Sequence, residues 1–204
     1  ENDWKKVYYT DGASVRIQNA TSLDLIVPEN KSGADWAKRN NAYTFVFDIR
    51  VQYGVNQPLL NTSHGKEATK SELWINPFGA VGGQGSYSNL SAVQSGKWYR
   101  VAYVVDGENQ LINYYVDENL KNSRIINNMI DGRHSIGTNV KVGYDQQVDN
   151  KSYELRRVVY YDYPLSRDQI NFLGRMSFEE FNEENSRSLE GDETLIYLYR
   201  GEPE

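Results

Sequence analysis

Trp74 stands between Leu73 and Ile75, with Glu72 and Asn76 two positions to either side. In an extended strand, alternation puts Glu72, Trp74 and Asn76 on one face and Leu73 and Ile75 on the other. An indole beside a carboxylate and a carboxamide suits sugar recognition. The ring face stacks on the apolar C–H face of a pyranose, while the polar neighbours take its hydroxyls. Tyr87 follows the run Gly82-Gly83-Gln84-Gly85-Ser86, whose glycines permit close approach of a ligand. Trp74, Tyr87, Glu72 and Asn76 are therefore the candidate ligand-binding residues, with Trp36 a further aromatic among polar loop neighbours.

Catalytic groupings are not found, and no catalytic residue is assigned. Glycoside hydrolysis normally requires two carboxylates facing one bond. Glu154 sits in a strand-like segment without a second inward carboxylate, and Glu179, Glu180, Glu183 and Glu184 fall in a helical or irregular tail. His64 and His134 both read as solvated loop residues with no nucleophile elbow beside them. Neither a His-x-x-x-His pair nor a cysteine is present, which removes the common zinc patterns. The glycine run does not lead from a strand into a helix and lacks a following Lys-Ser or Lys-Thr, so it is no phosphate cradle.

Charge narrows the partners further. The 204 residues carry a net charge of −6, concentrated at one end, where residues 177–204 hold nine acids against Arg187 and Arg200. A near-neutral body with an acidic end lacks the clustered basic surface that phosphate contacts demand, so nucleic acid is not an expected partner. No run approaches 18 apolar residues, which argues against a membrane-spanning helix. Residues 1–4 do not open a signal peptide, and in an exported protein the signal would have been removed ahead of residue 1.

Strands must position these side chains. With 16 Tyr, 6 Phe and 4 Trp, the chain favours sheets and supplies large area per buried residue. Lys5–Tyr9 and Ser14–Gln18 read as a hairpin around Asp11-Gly12. Tyr43–Val51 alternates with Phe45, Phe47 and Ile49 on one face. Further strands are expected at Leu59–Thr62, Glu72–Asn76, Lys97–Val105, Gln110–Val116, Val140–Gly143, Tyr153–Tyr161 and Thr194–Tyr199, with a brief one at Ala80-Val81. Short strands separated by turn signals, without helical periods between them, indicate antiparallel sheets stacked face to face. One helix is expected after Ser166, where Ser166 and Gln169 form a capping box and Ile170 and Leu173 give an apolar face up to Gly174.

Three segments carry a resemblance. Gly96–Gly107, containing Trp98-Tyr99-Arg100-Val101-Ala102, resembles the central strand of laminin G-like domains. Tyr114–Leu120 is similar to their Tyr-Val-Asp-Gly hairpin, with Glu118 in place of glycine. Leu155–Ile170 resembles their terminal strand and the Pro-Leu-Ser corner that leads into a short helix. The resemblance, to the laminin G-like and concanavalin A-like lectin-glucanase superfamily, covers about residues 5–174. It implies an all-β, two-sheet antiparallel jelly-roll sandwich over 1–174, with an acidic extension at 175–204 packing on the same domain. It also implies that Trp98 is a core residue. Related glucanases place Glu-x-Asp-x-x-Glu along one strand, a spacing that this chain does not contain. No cofactor is required, although relatives hold calcium with loop oxygens; the loop 145–150 offers Asp145 and Asp149 as metal ligands. The implied function is a non-catalytic carbohydrate-binding or adhesion module of an exported, bacterial cell-surface protein, whose partner is a glycan or a cell-surface protein. The alternatives are a structural or protein-interaction domain and a divergent glycoside hydrolase.

Overall fold

The computed structural model describes residues 14–19, 22–27, 29–62, 70–83, 85–148 and 150–175. They form two six-stranded sheets, and every strand pairing is antiparallel. The strands are β1 (Val15–Gln18), β2 (Leu23–Ile26), β3 (Ala42–Val51), β4 (Gln57–Asn61), β5 (Leu73–Ile75), β6 (Val81–Gly83), β7 (Ser86–Tyr87), β8 (Trp98–Asp106), β9 (Leu111–Val116), β10 (Asn119–Ile125), β11 (Asn139–Val142) and β12 (Ser152–Tyr161). The first sheet runs β1-β12-β3-β8-β9-β10 and the second β2-β11-β4-β5-β6-β7. This is the two-sheet sandwich that the alternation indicates. The expected strands at 5–9 and 194–199, and the acidic extension from residue 176 onward, lie outside the described residues.

The core between the sheets is built from alternate residues of each strand. Phe45, Phe47, Ile49 and Val51 of β3 meet Val101, Tyr103 and Val105 of β8 and Tyr114 and Val116 of β9. Leu60, Leu73, Ile75, Val81, Val140 and Val142 close it from the second sheet. Four of the buried tyrosines, Tyr43, Tyr103, Tyr153 and Tyr160, bring their phenol oxygens to partners at the core margins. Tyr153 Oη donates to the Pro58 carbonyl at 2.8 Å, and Asn40 Nδ2 donates to Tyr160 Oη at 2.6 Å. Tyr43 Oη donates to the His134 carbonyl, and Tyr103 Oη lies 2.7 Å from His134 Nδ1.

The helix α1 (Arg167–Arg175) forms a third layer on the far face of the first sheet. Its capping box is reciprocal: the Ser166 N–H donates to Gln169 Oε1 at 2.9 Å, and the Gln169 N–H donates to Ser166 Oγ at 3.2 Å. Ile170 and Leu173 bury against Val46, Ala102, Val104, Tyr115, Val159 and Tyr161. At the other end of the helix the Arg100 guanidinium donates to the Leu173 carbonyl and to Asp48 Oδ1 and Oδ2, at 2.9 and 3.2 Å for the latter two.

The Trp98 expectation needs correction. Core positions Val101, Tyr103 and Val105 share a face with Tyr99, so alternation turns Trp98 outward beside Arg100. Trp98 is half-buried there. The Arg156 and Arg50 guanidinium carbons lie 4.5 and 5.3 Å from its ring centroid. Glu154 pairs with Arg50 and, at 3.4 Å, with Arg16, giving one lateral row Arg16, Glu154, Arg50, Trp98 across β1, β12, β3 and β8. The Arg50 bond holds the Glu154 carboxyl below its ordinary range. This Trp ring is engaged by arginines and serves the sheet's own cohesion.

Candidate functional site

The second sheet sets Trp74, Gly82 and Tyr87 side by side, because Trp74 pairs with Gly82 and Gly82 with Tyr87. Leu73, Ile75 and Val81 take the opposite face into the core. Two strand spacings, about 9.6 Å in all, therefore separate the Trp74 and Tyr87 backbones, with a residue that has no side chain between them. Packing requires that glycine. A Cβ on Gly82 would lie 2.0 Å from the Ser86 carbonyl oxygen, and one on Gly83 would lie 2.1 Å from the Glu72 carbonyl oxygen. The arrangement sets a half-buried Trp74 and an exposed Tyr87 level across a buried glycine that carries no side chain.

Trp74 is half-buried and anchored. Its Nε1 donates to the Ser71 carbonyl at 2.9 Å, and its Cδ1 is the ring atom closest to Gly83, 3.7 Å from where a Cβ would stand. The five-membered ring of the indole thus faces the Ser71 carbonyl. Tyr87 is 36% exposed, and its partial burial, with Tyr114 adding to the effect, raises its phenol pKa.

Glu72 and Asn76 do not join this strip as alternation suggests. Glu72 is only 1% exposed, accepts the Thr62 N–H at 3.0 Å and pairs with Arg133 at 3.2 Å. Burial outweighs these partners and pushes its carboxyl up to about 7. The strand β5 begins one residue later, so strict alternation no longer governs Glu72. Asn76 folds its carboxamide over the β5–β6 turn, accepting the Phe78 and Ala80 N–H groups at 2.9 and 3.0 Å. Both residues organise the segments flanking Trp74.

Asp145 has a similar structural role. Its Oδ2 accepts the Ser71 N–H and its Oδ1 the Gln147 N–H, each at 2.9 Å, so it ties the 145–148 turn to the residue whose carbonyl holds Trp74. Both carboxylate oxygens accept backbone N–H groups and hold this loop in place. Asp149 lies outside the described residues, among which no group of three or more His, Asp or Glu side chains could hold a metal ion. Trp36 is exposed.

His134 is the second correction. It is buried rather than solvated, because the Tyr43 and Tyr103 phenols need partners at that end of the core. Burial, with Arg124 and Arg133 adding to it, pushes its pKa down to about 3. Nothing in the local sequence Arg133-His134-Ser135 signals this. His64 lies outside the described residues.

No protein-family model matches the sequence, and no curated protein matches it. Solved structures do. The chain is similar to the receptor binding domain of botulinum neurotoxin D, at 14% identity and a TM-score of 0.57 over 79% of this chain and 43% of that one. A botulinum neurotoxin serotype D ligand binding domain in complex with N-acetylneuraminic acid gives 12% identity and 0.55 over 79% and 41%. The Ruminococcus gnavus IT-sialidase CBM40, bound to α2,3-sialyllactose, gives 17% and 0.52 over 76% of this chain and 99% of that one. The likeness is one of fold. This chain spans about two fifths of the toxin domains and nearly the whole length of the CBM40 sandwich. The strip on β5–β7 belongs to this chain's own residues and is read from its own geometry.

Proposed function

We propose that this chain is a non-catalytic carbohydrate-binding module of an exported, cell-surface protein, and that it holds a glycan across Trp74, Gly82 and Tyr87. The observation that carries the reading is the lateral register of those three residues. A pyranose rests against an aromatic wall, and nearby backbone and side-chain groups orient its hydroxyls. Sandwiches of this fold include one bound to sialyllactose and one in complex with N-acetylneuraminic acid, which supports a glycan as the ligand. Catalysis is disfavoured by the state of the buried carboxylates: Asp48 is paired with Arg100, Glu72 with Arg133, and Asp145 is bound to two backbone N–H groups. A hydrolase requires two carboxyl groups about 5–9.5 Å apart and free to act on one bond.

A glycan panel tests the proposal. The chain should retain at least one glycan class, Trp74→Ala should weaken that binding about tenfold or more, and a chelator should leave it unchanged. Absence of binding to every glycan would overturn the reading.

A second reading, docking on a protein partner, has its own observation. Phe78 and Leu90 are 61% and 62% exposed and flank the bond from the Ser91 N–H to the Phe78 carbonyl. Binding to a protein ligand that Phe78→Ser abolishes would support it.

A further inference from the structure

At the other end of the second sheet, beside β2 and β11, a cavity of about 330 Å³ opens between the segments 29–31, 38–40 and 136–138. Its charged lining is Lys31, Lys38 and Arg39 against the single carboxylate of Glu29. Glu29 and Lys31 form an exposed pair at 3.6 Å, a contact that contributes little in water. Lys38 is exposed, and Arg39 is half-buried at the floor.

The floor is rigid. The Asp131 carboxylate accepts the N–H groups of Lys38 and Arg39 at 2.9 and 3.0 Å and the Asn41 Nδ2 at 3.2 Å, while Asn41 Oδ1 accepts the Asp131 N–H at 2.7 Å. Arg39 Nε donates to Ser135 Oγ at 3.0 Å, and Ser135 Oγ donates to the Gly132 carbonyl at 2.6 Å. The two terminal nitrogens lie beneath Gly137, where a Cβ would stand 3.6 Å from Nη1 and 3.7 Å from Nη2. Gly137 thus leaves one face of the guanidinium uncovered by a side chain. Burial lowers the Arg39 pKa, with Asp131 and Tyr43 acting the other way, so this cation has given up part of its hydration.

We infer that this cavity binds a small organic carboxylate, of about the size of one hexuronate, with the carboxylate bidentate on Arg39 Nη1 and Nη2 and Lys38 supplying a second cation at the mouth. The planar fork matches a carboxylate in geometry and charge. The volume lies at the small end of ligand sites, about 300–1,000 Å³. The cavity is on the opposite edge of the sheet from Trp74 and Tyr87, so its ligand does not depend on the glycan reading.

Calorimetric titration of the full chain with glucuronate, glucose and sulfate tests the inference. Glucuronate should saturate one site, glucose should give no saturable heat, and sulfate should bind at least tenfold more weakly than glucuronate. Arg39→Gln should weaken glucuronate tenfold or more. Gly137→Leu, which fills the space above the fork and keeps the charge, should do the same, and thermal melts of both variants report whether they fold. Equal binding of glucuronate and glucose, sulfate binding as tight as glucuronate, or wild-type affinity in a folded variant would each overturn it. Any of these failures would leave the Trp74 proposal standing, because that test uses a different face and neutral glycans among its probes.

Discussion

His134 and Glu72 lie at the same end of the core with opposite electrostatic consequences. The unfolded chain protonates His134 near its ordinary value of 6.5, the folded chain only near 3, so the unfolded state binds more protons throughout that window. His134 therefore contributes stability above about pH 6.5 that is lost as pH falls toward 3. Glu72 runs the other way. Its folded carboxyl titrates near 7 against an ordinary 4.5, so its contribution is greatest below pH 4.5 and falls as pH rises toward 7. Thermal melts between pH 4 and 8 should show His134→Gln losing less stability on acidification than wild type. Glu72→Gln should gain on wild type as pH rises from 5 to 8. Parallel curves for all three proteins would contradict the assignment. Neither residue's burial is legible locally, since it is set by phenols and an arginine far away in sequence: Tyr103, Tyr43 and Arg133.

Elements were more legible than single residues. Alternation locates β3, β8, β9, β11 and β12 to within a residue or two, because each buries one face against the other sheet and a slip of one position would invert it. The capping box locates α1, because both of its hydrogen bonds are local. Trp98 shows the limit of a motif compared with a period. The resemblance points it into the core, whereas the two-residue repeat through Val101, Tyr103 and Val105 places it outside, and the repeat is correct. The strand β2 carries too short a signal, Leu23-Asp24-Leu25-Ile26, to stand out without its partner β11. At the strip, the glycines are the element-scale requirement. Gly83→Ala places a methyl group 2.1 Å from a backbone oxygen, so β5 and β6 must separate. The expected cost in chemical denaturation is about 1–3 kcal/mol, as for other overpacked sites, together with weakened glycan binding. An unchanged unfolding midpoint would contradict the close approach.

As a whole, the molecule divides its surfaces unequally. The first sheet is covered on one side by the second sheet and on part of the other by α1, and its outer face also carries the pairs around Glu154, Trp98, Asp48 and Arg100. The second sheet carries the Trp74–Gly82–Tyr87 strip on its outer face. Trp74 and Tyr87 stand out in the sequence, because an aromatic opposite a core face and a glycine-rich run are visible as residue types. What brings them level, the pairing of each with Gly82, arises only when β5, β6 and β7 assemble. The most direct measurement is an NMR titration of the isotopically labelled chain with a glycan retained from the panel, following the backbone amides and the Trp74 indole N–H. The account predicts that the largest shifts fall on Trp74, Gly82, Gly83 and Tyr87. A saturating glycan that leaves those signals in place and moves signals elsewhere would contradict it.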